Sequence, residues 1–505
     1  MKATIYIRIF IFFMCILCAD IYFAQDTILH GLVNQSDRHS EICDSAIVST
    51  STIDSLITLI MEDYHVAGVS TSVIRNNNIV WNRSYGFANI KNWIPVTDTT
   101  AFMLASVSKT ITGAALLKLW EQGLFNLDDN INDYMPIRIV NPYCPDSVIT
   151  FRMLLTHTSS LKDNWDVMFS TYVPGDTPIR LDEYVRSYFL PGGYYYNATK
   201  NFYNWKPGKS WSYCNHNFVL IGYLVSMISN IPFDQYCRDS LFLPIHMNRT
   251  SWFLSGLDTN TVAMPYTYNG VKYVPYGHFG YADYPAGALR SSTRDLARFL
   301  TMFLSGGELD EMQLLQKKTI DTIATIQYPS IISNQGLTWF RAQQGSRTVW
   351  EHSGGDQGVR TKIGFCRQDS SAVIVLTNGE STTASETIYS ILWDAVSTLT
   401  AVEPSVISDA SPADFLLEQN YPNPFNGITV VQVHVSQSTH LTARIYDITG
   451  RLLTTCFEGK HFLPGSYSIM WDCTDWKGNE ANSGIYFCRV ESENSSQVIK
   501  LILLR

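Results

Sequence analysis

Ser106-Val107-Ser108-Lys109 puts a serine hydroxyl and a lysine amine three residues apart at the head of a long apolar run. On a helix, residues three apart share a face, so the Lys109 amine is within reach of the Ser106 oxygen. A serine hydroxyl is a poor nucleophile until a neighbour takes its proton, and a desolvated amine can take it. The pattern points to acyl transfer through a serine ester. A second Ser-x-x-Lys, Ser159 to Lys162, serves as an internal control: polar, turn-forming residues surround it and no helical pattern follows. After Lys109, by contrast, Ile111, Ala114, Ala115, Leu117, Leu119 and Trp120 recur at helical spacing until Gly123 offers a stop. Apolar almost all round, this helix is expected to be central and buried. Its N-terminus, with free N–H groups and the positive end of the dipole, favours developing negative charge.

Two further elements follow in order. Tyr213-Cys214-Asn215 comes after the Pro207-Gly208 turn and before the apolar run Phe218, Leu220, Ile221, Leu224, Val225 and Ile228. A tyrosine beside an ammonium can relay a proton, and an asparagine amide can orient both the lysine and a substrate carbonyl. Tyr-x-Asn also occurs at Tyr195 and Tyr421, so the helical context is what singles out Tyr213. His352-Ser353-Gly354-Gly355 lies between two strand-like runs, Gln335 to Phe340 and Ala372 to Leu376. A lone His-Ser-Gly is more often a turn, but glycines in a strand pattern mark close approach of backbone to a ligand. Acyl transfer needs two N–H donors aimed at the oxyanion, and the N–H groups of Ser106 and Gly355 are the expected pair.

In this order the three motifs resemble those of the serine β-lactamase and penicillin-binding protein superfamily, in its class C-like branch of D-aminopeptidases, DD-carboxypeptidases and esterases. Ser106 to Lys109 is similar to its Ser-x-x-Lys, Tyr213 to Asn215 to its Tyr-x-Asn, and His352 to Gly354 to the His-x-Gly variant of its Lys-Thr-Gly. Ser84 to Ala88, Ile149 to Leu161, Leu241 to Met247 and Tyr284 to Ser292 add to the resemblance, which spans residues 45–400. It implies Ser106 as nucleophile, with Lys109 and Tyr213 sharing the base and acid work. Asn215, His352, Ser353 and Gly354 would bind substrate, and Ser106 and Gly355 would form the oxyanion hole. Two departures matter. Histidine replaces lysine in the third motif, so a permanent cation for a substrate carboxylate is missing at neutral pH, and Cys214 stands where serine is commoner. With no class A-type general-base glutamate motif either, peptidase or esterase activity is expected ahead of β-lactam hydrolysis.

Val66 to Ile74 and Ile79 to Phe87 read as strands joined by Asn76-Asn77-Asn78, a hairpin signal. Glu386 to Leu399 reads as a closing helix. The expected fold is α/β: an antiparallel sheet flanked by helices, with the helical subdomain that the resemblance implies, followed by a small β-sandwich. Residues 401–414 have linker composition. Beyond them Thr429 to Val435, Leu441 to Asp447, Ser466 to Trp471, Gly484 to Val490 and Val498 to Leu504 alternate as short strands between turn residues, a sandwich pattern. The segment Leu417 to Asn426, Ile445-Tyr446-Asp447, Ser483 to Phe487 and Lys500 to Arg505 resemble type IX secretion sorting domains over residues 415–505. That resemblance implies outer-membrane secretion machinery as a partner. A carbohydrate- or protein-binding sandwich is the plainer alternative.

The whole chain has 505 residues, only 16% charged, with a formal net charge of -9 and no basic run to suggest nucleic acid, so no nucleic-acid partner is expected. Residues 1–24 read as a secretory signal: Lys2 and Arg8, then an apolar run from Ile9 to Ala19. The run is too short for a span, which needs about 20 apolar residues, so no transmembrane segment is expected in the mature chain. Cleavage after Ala24 fits, though Tyr22 is bulky for its place, and Leu17 rules out a lipoprotein site at Cys18. Export permits disulfides, but the cysteine count is odd both in the hydrolase region (Cys43, Cys144, Cys214, Cys237, Cys366) and beyond it (Cys456, Cys473, Cys488). No metal or cofactor is expected, since no ligand spacing supports one. His157 is expected to be structural, hydrogen-bonding a loop. The aromatics Tyr194, Tyr195, Tyr196, Tyr203, Trp205 and Trp211 either line the cleft or pack locally. The expectation is a secreted or surface-displayed serine hydrolase acting on a small-molecule or peptide substrate, a D-peptide or an ester. A true β-lactamase, or an inactive binding protein with the same fold, is the alternative.

Overall fold

A computed structural model describes residues 50–92, 94–399, 414–493 and 495–505. The expected signal segment, Cys43, the first residues of the hydrolase region and the linker up to residue 413 lie outside them. Helix α1 (Thr50–Asp63) buries Ile53, Ile57 and Ile60, spaced at three and four residues along one face. The Val66 N–H then bonds to the Met61 carbonyl at 2.9 Å. That bond holds Val66 in the turn, so strand β1 (Gly68–Arg75) starts two residues later than the sequence pattern predicts. Asn76 and Asn77 adopt left-handed φ values of 49° and 63°, as a tight hairpin requires, and lead into β2 (Asn78–Asn89). A short β3 (Ile94–Pro95) adds an edge.

The chain then leaves the sheet to build a helical region. It contains α2 (Ser108–Glu121), reached through a 3-10 turn at Ala105–Val107, and α3 (Asn215–Ser229), which packs on α2. Both helices are buried almost all round, as expected from their lack of a polar face. The chain returns through α4 (Thr293–Leu304), β4 (Phe340–Gln344), β5 (Arg347–Asp356), β6 (Val359–Cys366), β7 (Ser371–Thr377) and α5 (Thr382–Ala395). The seven strands lie in the order β4-β5-β6-β7-β1-β2-β3 with antiparallel neighbours. Helices α4 and α5 both pack on β7, whose residues are buried without exception, so the central strands are covered on both faces.

Two further sequence expectations need correction. The strand expected from Gln335 begins only at Phe340, because Thr338 takes a left-handed φ of 72° and gives its N–H to the Leu155 carbonyl at 2.8 Å. The closing helix, which ends at Ala395, starts already at Thr382 because Ser381 caps it, its Oγ accepting the Ala384 N–H at 3.1 Å.

The C-terminal strands are β8 (Phe415–Leu417), β9 (Thr429–Val435), β10 (Thr439–Asp447), β11 (Leu452–Phe462), β12 (Gly465–Trp471), β13 (Gly484–Glu491) and β14 (Ser496–Leu503). They form a β8-β9-β12 sheet and a β11-β10-β13-β14 sheet around one core that includes Val431, Val433, Ile445, Trp471 and Leu501. Strand β11 was not legible in the sequence because only Leu453 and Phe462 of it are buried, so it carries no alternation. The fold class is the one expected. The seven cysteines among the described residues are free thiols. Among those residues, no single helix is long and apolar enough to cross a membrane.

Candidate active site

Ser106 lies in the 3-10 turn two residues ahead of α2, where the sequence placed it on the helix itself. Ala105 before it has a left-handed φ of 47°, a conformation costing a non-glycine residue about 1–2 kcal/mol. The turn is held in that shape from both sides. Leu104 gives its N–H to the Leu289 carbonyl at 2.8 Å, and its own carbonyl accepts the Thr361 hydroxyl at 2.7 Å. Gly354 of β5 packs directly on the same turn. A Cβ there would stand 2.2 Å from the Leu104 oxygen and 3.1 Å from the Ser106 nitrogen, so no other residue fits.

Lys109 is fully buried, and its Nζ donates to Ser106 Oγ at 3.0 Å and to the Ala286 carbonyl at 2.6 Å. Burial pulls its pKa down from 10.5 to about 7, against the pull of Asp163 and Asp283 nearby. The neutral amine is thereby brought within reach of neutral pH, with a lone pair to accept a proton from Ser106. The control pair behaves otherwise: Ser159 Oγ donates to Asn217, while Lys162 Nζ donates to the Thr199 carbonyl at 3.4 Å.

Tyr213 reaches the same place from the N-terminus of α3. The Lys109 Nζ lies 5.2 Å from its ring centroid, and the His157 ring stacks on it at 4.3 Å. His157 is buried and its Nδ1 accepts the Cys214 N–H at 3.1 Å, so it does hold a loop, but a loop belonging to this site. Asn215 is turned by Asp163, whose Oδ2 accepts both its backbone N–H and its Nδ2 at 2.8 Å.

His352 lies on β5 beside the site with 3% exposure, and its Nδ1 donates to the Ser353 carbonyl at 2.8 Å. Burial, then the neighbouring Lys109, drives its pKa down to about 3, so the imidazole is neutral throughout the physiological range. Alternate residues of a strand share a face, so His352 and Gly354 face the Ser106 turn together with Asp356. Ser353 and Gly355 are exposed. Edge strand β4 stops at Phe340, opposite Glu351, and residues 352–356 are paired along β6 on their other side.

Acids that sequence reasoning missed complete the surroundings. Asp356 accepts from the Tyr172 hydroxyl at 3.0 Å and from the Gln357 N–H at 2.8 Å. Asp283 is buried, and burial raises its pKa to about 7. Asp163 was also missed. The one available signal was the charged pair Lys162-Asp163 in an otherwise uncharged stretch from Met153 to Asn164. Asp163, Cys214 and His216 are the described residues that could hold a metal ion, their ligand atoms lying within 4.8 Å of one another. Each Asp163 oxygen already accepts N–H donors, so the cluster is satisfied by the protein's own groups.

Of the aromatic segment, Trp211 belongs near the site: its Nε1 donates to Gln335 at 2.5 Å and its ring lies 6.3 Å from His157. Tyr203 stacks on Trp205, and Tyr194 is 90% exposed, so this part of the segment packs locally or faces solvent.

Comparison with known proteins bears on the family and the fold. Residues 53–395 match the Beta-lactamase family model, and residues 419–504 match the Secretion system C-terminal sorting domain. Protein flp of Staphylococcus aureus is 26% identical over 258 residues, 51% of this chain and 49% of that protein. The chain thus spans about half the length of the curated relatives it matches first. Among solved structures, the octameric penicillin-binding protein homologue from Pyrococcus abyssi superposes with a TM-score of 0.57 at 20% identity, over 90% of this chain and 97% of that one. The D-amino acid amidase from Ochrobactrum anthropi gives 0.53 at 20% identity, over 69% of this chain and 97% of that one. At such identities these structures speak for the fold. Family model, fold and motif geometry converge, and the chain belongs to the beta-lactamase family, with a type IX secretion sorting domain at its C-terminal end.

Proposed function

We propose that this chain is a secreted serine hydrolase that cleaves amide or ester bonds through an acyl-enzyme on Ser106, with D-peptides or esters as substrates. The observation that carries this reading is the buried Lys109 amine 3.0 Å from Ser106 Oγ, with its pKa lowered to about 7. In the neutral form Lys109 takes the Ser106 proton as Oγ attacks the carbonyl carbon. The N–H groups of Ser106 and Gly355 receive the oxyanion. Tyr213 passes the proton to the leaving group, and water then releases the acyl group by the reverse sequence. Asn215, His352, Ser353 and Gly354 hold the substrate along the open edge of β5.

The charge around the site favours D-peptides and esters over β-lactams. His352 is neutral where a cation would grip a substrate carboxylate. The sorting domain carries the enzyme through the periplasm and past the outer membrane, so its substrates are external ones. The test is covalent labelling of the purified full chain by a fluorophosphonate and a fluorescent penicillin. Rates with nitrocefin, a short-chain p-nitrophenyl ester and a D-amino-acid amide complete it. Ser106→Ala should abolish labelling while the fold persists. Equal labelling of that variant ends the mechanism, absence of labelling in the native chain favours an inactive binding protein, and a dominant nitrocefin rate makes it a β-lactamase.

A further inference from the structure

Asp163 stands in the connection between the helices Phe151–Leu155 and Trp165–Ser170, with a side chain only 6% exposed. Its Oδ2 accepts the Asn215 N–H and Asn215 Nδ2, both at 2.8 Å. Its Oδ1 accepts the His216 N–H at 3.1 Å, His216 Nδ1 at 2.7 Å and the Cys214 thiol at 3.4 Å. A helix cap supplies one or two such bonds. Here five donors from three consecutive residues converge on one carboxylate, at the helix end where the dipole favours an anion. Burial works against the ionised form, but the bonds from His216 and from the backbone of Asn215 and His216 outweigh it and hold the pKa at about 2.

The grip extends outward. The buried Tyr184 hydroxyl hydrogen-bonds with His216 Nε2 at 3.0 Å. The His216 ring also stacks on Tyr188 at 3.6 Å. From the opposite side, His157 takes the Cys214 N–H on its ring and the Ser212 N–H on its carbonyl at 3.0 Å, and lies flat on Tyr213. Residues 212–217 are therefore clamped by 157–163, with Tyr213 and Asn215 as the cargo of the clamp.

We propose that Asp163 is the positioning residue of the second motif: it aims Asn215 and Tyr213 at Ser106 and sets a fixed negative charge beside Lys109. This rests on the acyl-enzyme reading above. The groups facing Lys109 are the acids Asp163, Asp283 and Asp356, the Cys214 thiol, the rings of Tyr213 and Phe218, and the neutral imidazoles of His157 and His352. Of the charges opposing the effect of burial on that amine, Asp163 is the largest. A plain helix cap would affect only stability, so the two roles separate in a pH profile.

The experiment uses the full chain carrying Asp163→Asn, with Asp163→Glu beside it. It reads kcat and KM for a p-nitrophenyl ester against pH, the Tm, and the titration of Lys109 by NMR on lysine-labelled protein. For Asp163→Asn, kcat should fall by about 10- to 100-fold with little change in KM, the scale of a small misplacement of reacting groups. The acid limb and the Lys109 titration should both move to lower pH by about half a unit or more, because a stabilising anion is gone. Asp163→Glu keeps the charge and displaces the oxygens, so kcat falls while the limb stays. A lower Tm with kcat, limb and titration unchanged in Asp163→Asn overturns the proposal. So does full kcat in Asp163→Glu should the asparagine variant fail to fold. If the native chain neither turns over ester nor takes label, the acyl-enzyme reading fails. The Lys109 titration then decides the proposal: a shift in Asp163→Asn upholds the charge beside Lys109, and no shift overturns it.

Discussion

The two folded regions treat charge in opposite ways. Around α2, α3 and β5, the side chains of Lys109, His157, His216, Asp283 and His352 are each 3% exposed or less. In the C-terminal sandwich, Asp414 is the one charged residue so deeply buried among the described residues. Its ion pairs, such as Arg444 with Glu458 and Arg451 with Asp447, sit at the surface, where each is worth about 0–1 kcal/mol. Burying an ionisable group costs stability unless its partners are near ideal. That cost is concentrated in one region, where the most deeply buried amine, Lys109, lies 3.0 Å from a serine hydroxyl. The sandwich carries no such burden, as suits a module recognised from outside.

This contrast can be broken experimentally. The largest effect is expected from Lys109→Ala and Tyr213→Phe, which should each slow turnover by about 100-fold or more, read as kcat on a p-nitrophenyl ester. Full turnover in either would mean that the buried charge is not catalytic. Next, native kcat should climb with pH through about 7 as Lys109 loses its proton. A profile flat from pH 5 to 9 would assign the base elsewhere.

A smaller effect concerns stability. The Lys109 pKa is about 7 in the folded chain against 10.5 for the free amine, so between those values the unfolded chain binds more protons and stability rises with pH. The destabilisation is complete below pH 7 and gone above 10.5. Lys109→Met should therefore raise stability by about 1–2 kcal/mol at pH 6, with a smaller gain in Tm at pH 10. An equal gain at both pH values would contradict a buried, titrating amine.

The smallest effect on chemistry is expected from deleting residues 415–505. Tyr421 meets the hydrolase at Tyr85, ring centroids 5.6 Å apart, and its hydroxyl lies 3.7 Å from the Met61 sulfur. Losing these contacts should lower Tm slightly and leave kcat unchanged, while surface delivery stops. Fractionation of expressing cells and assay of the purified truncation check both halves.

What could be read from the sequence follows from how local each feature is. Ser106 and Lys109 are legible because three-residue spacing at the head of an apolar helix brings their side chains together, as the same spacing at Ser159 and Lys162 does not. The Asn76-Asn77 turn is legible because both residues tolerate left-handed backbone. Asp163 is not, since its partners lie some fifty residues away and only the folded chain joins them. Gln335 to Trp339 looked like a strand by composition, and a long-range bond from Thr338 to Leu155 overrode that preference. Strand β11 has too few buried side chains to leave a pattern, whereas β9 alternates clearly because one face covers the core.

The free thiols bear on how the protein fares once outside the cell. Thiolate, not thiol, reacts with oxidants, and burial pushes the thiols of Cys214, Cys237, Cys366, Cys456, Cys473 and Cys488 toward the protonated form. Such sulfurs are slow to oxidise or to shuffle with foreign disulfides. The described region can therefore stay in aerated surroundings with its seven thiols uncross-linked, its durability resting on packing. Cys144, half-buried, is the position where oxidative wear would begin.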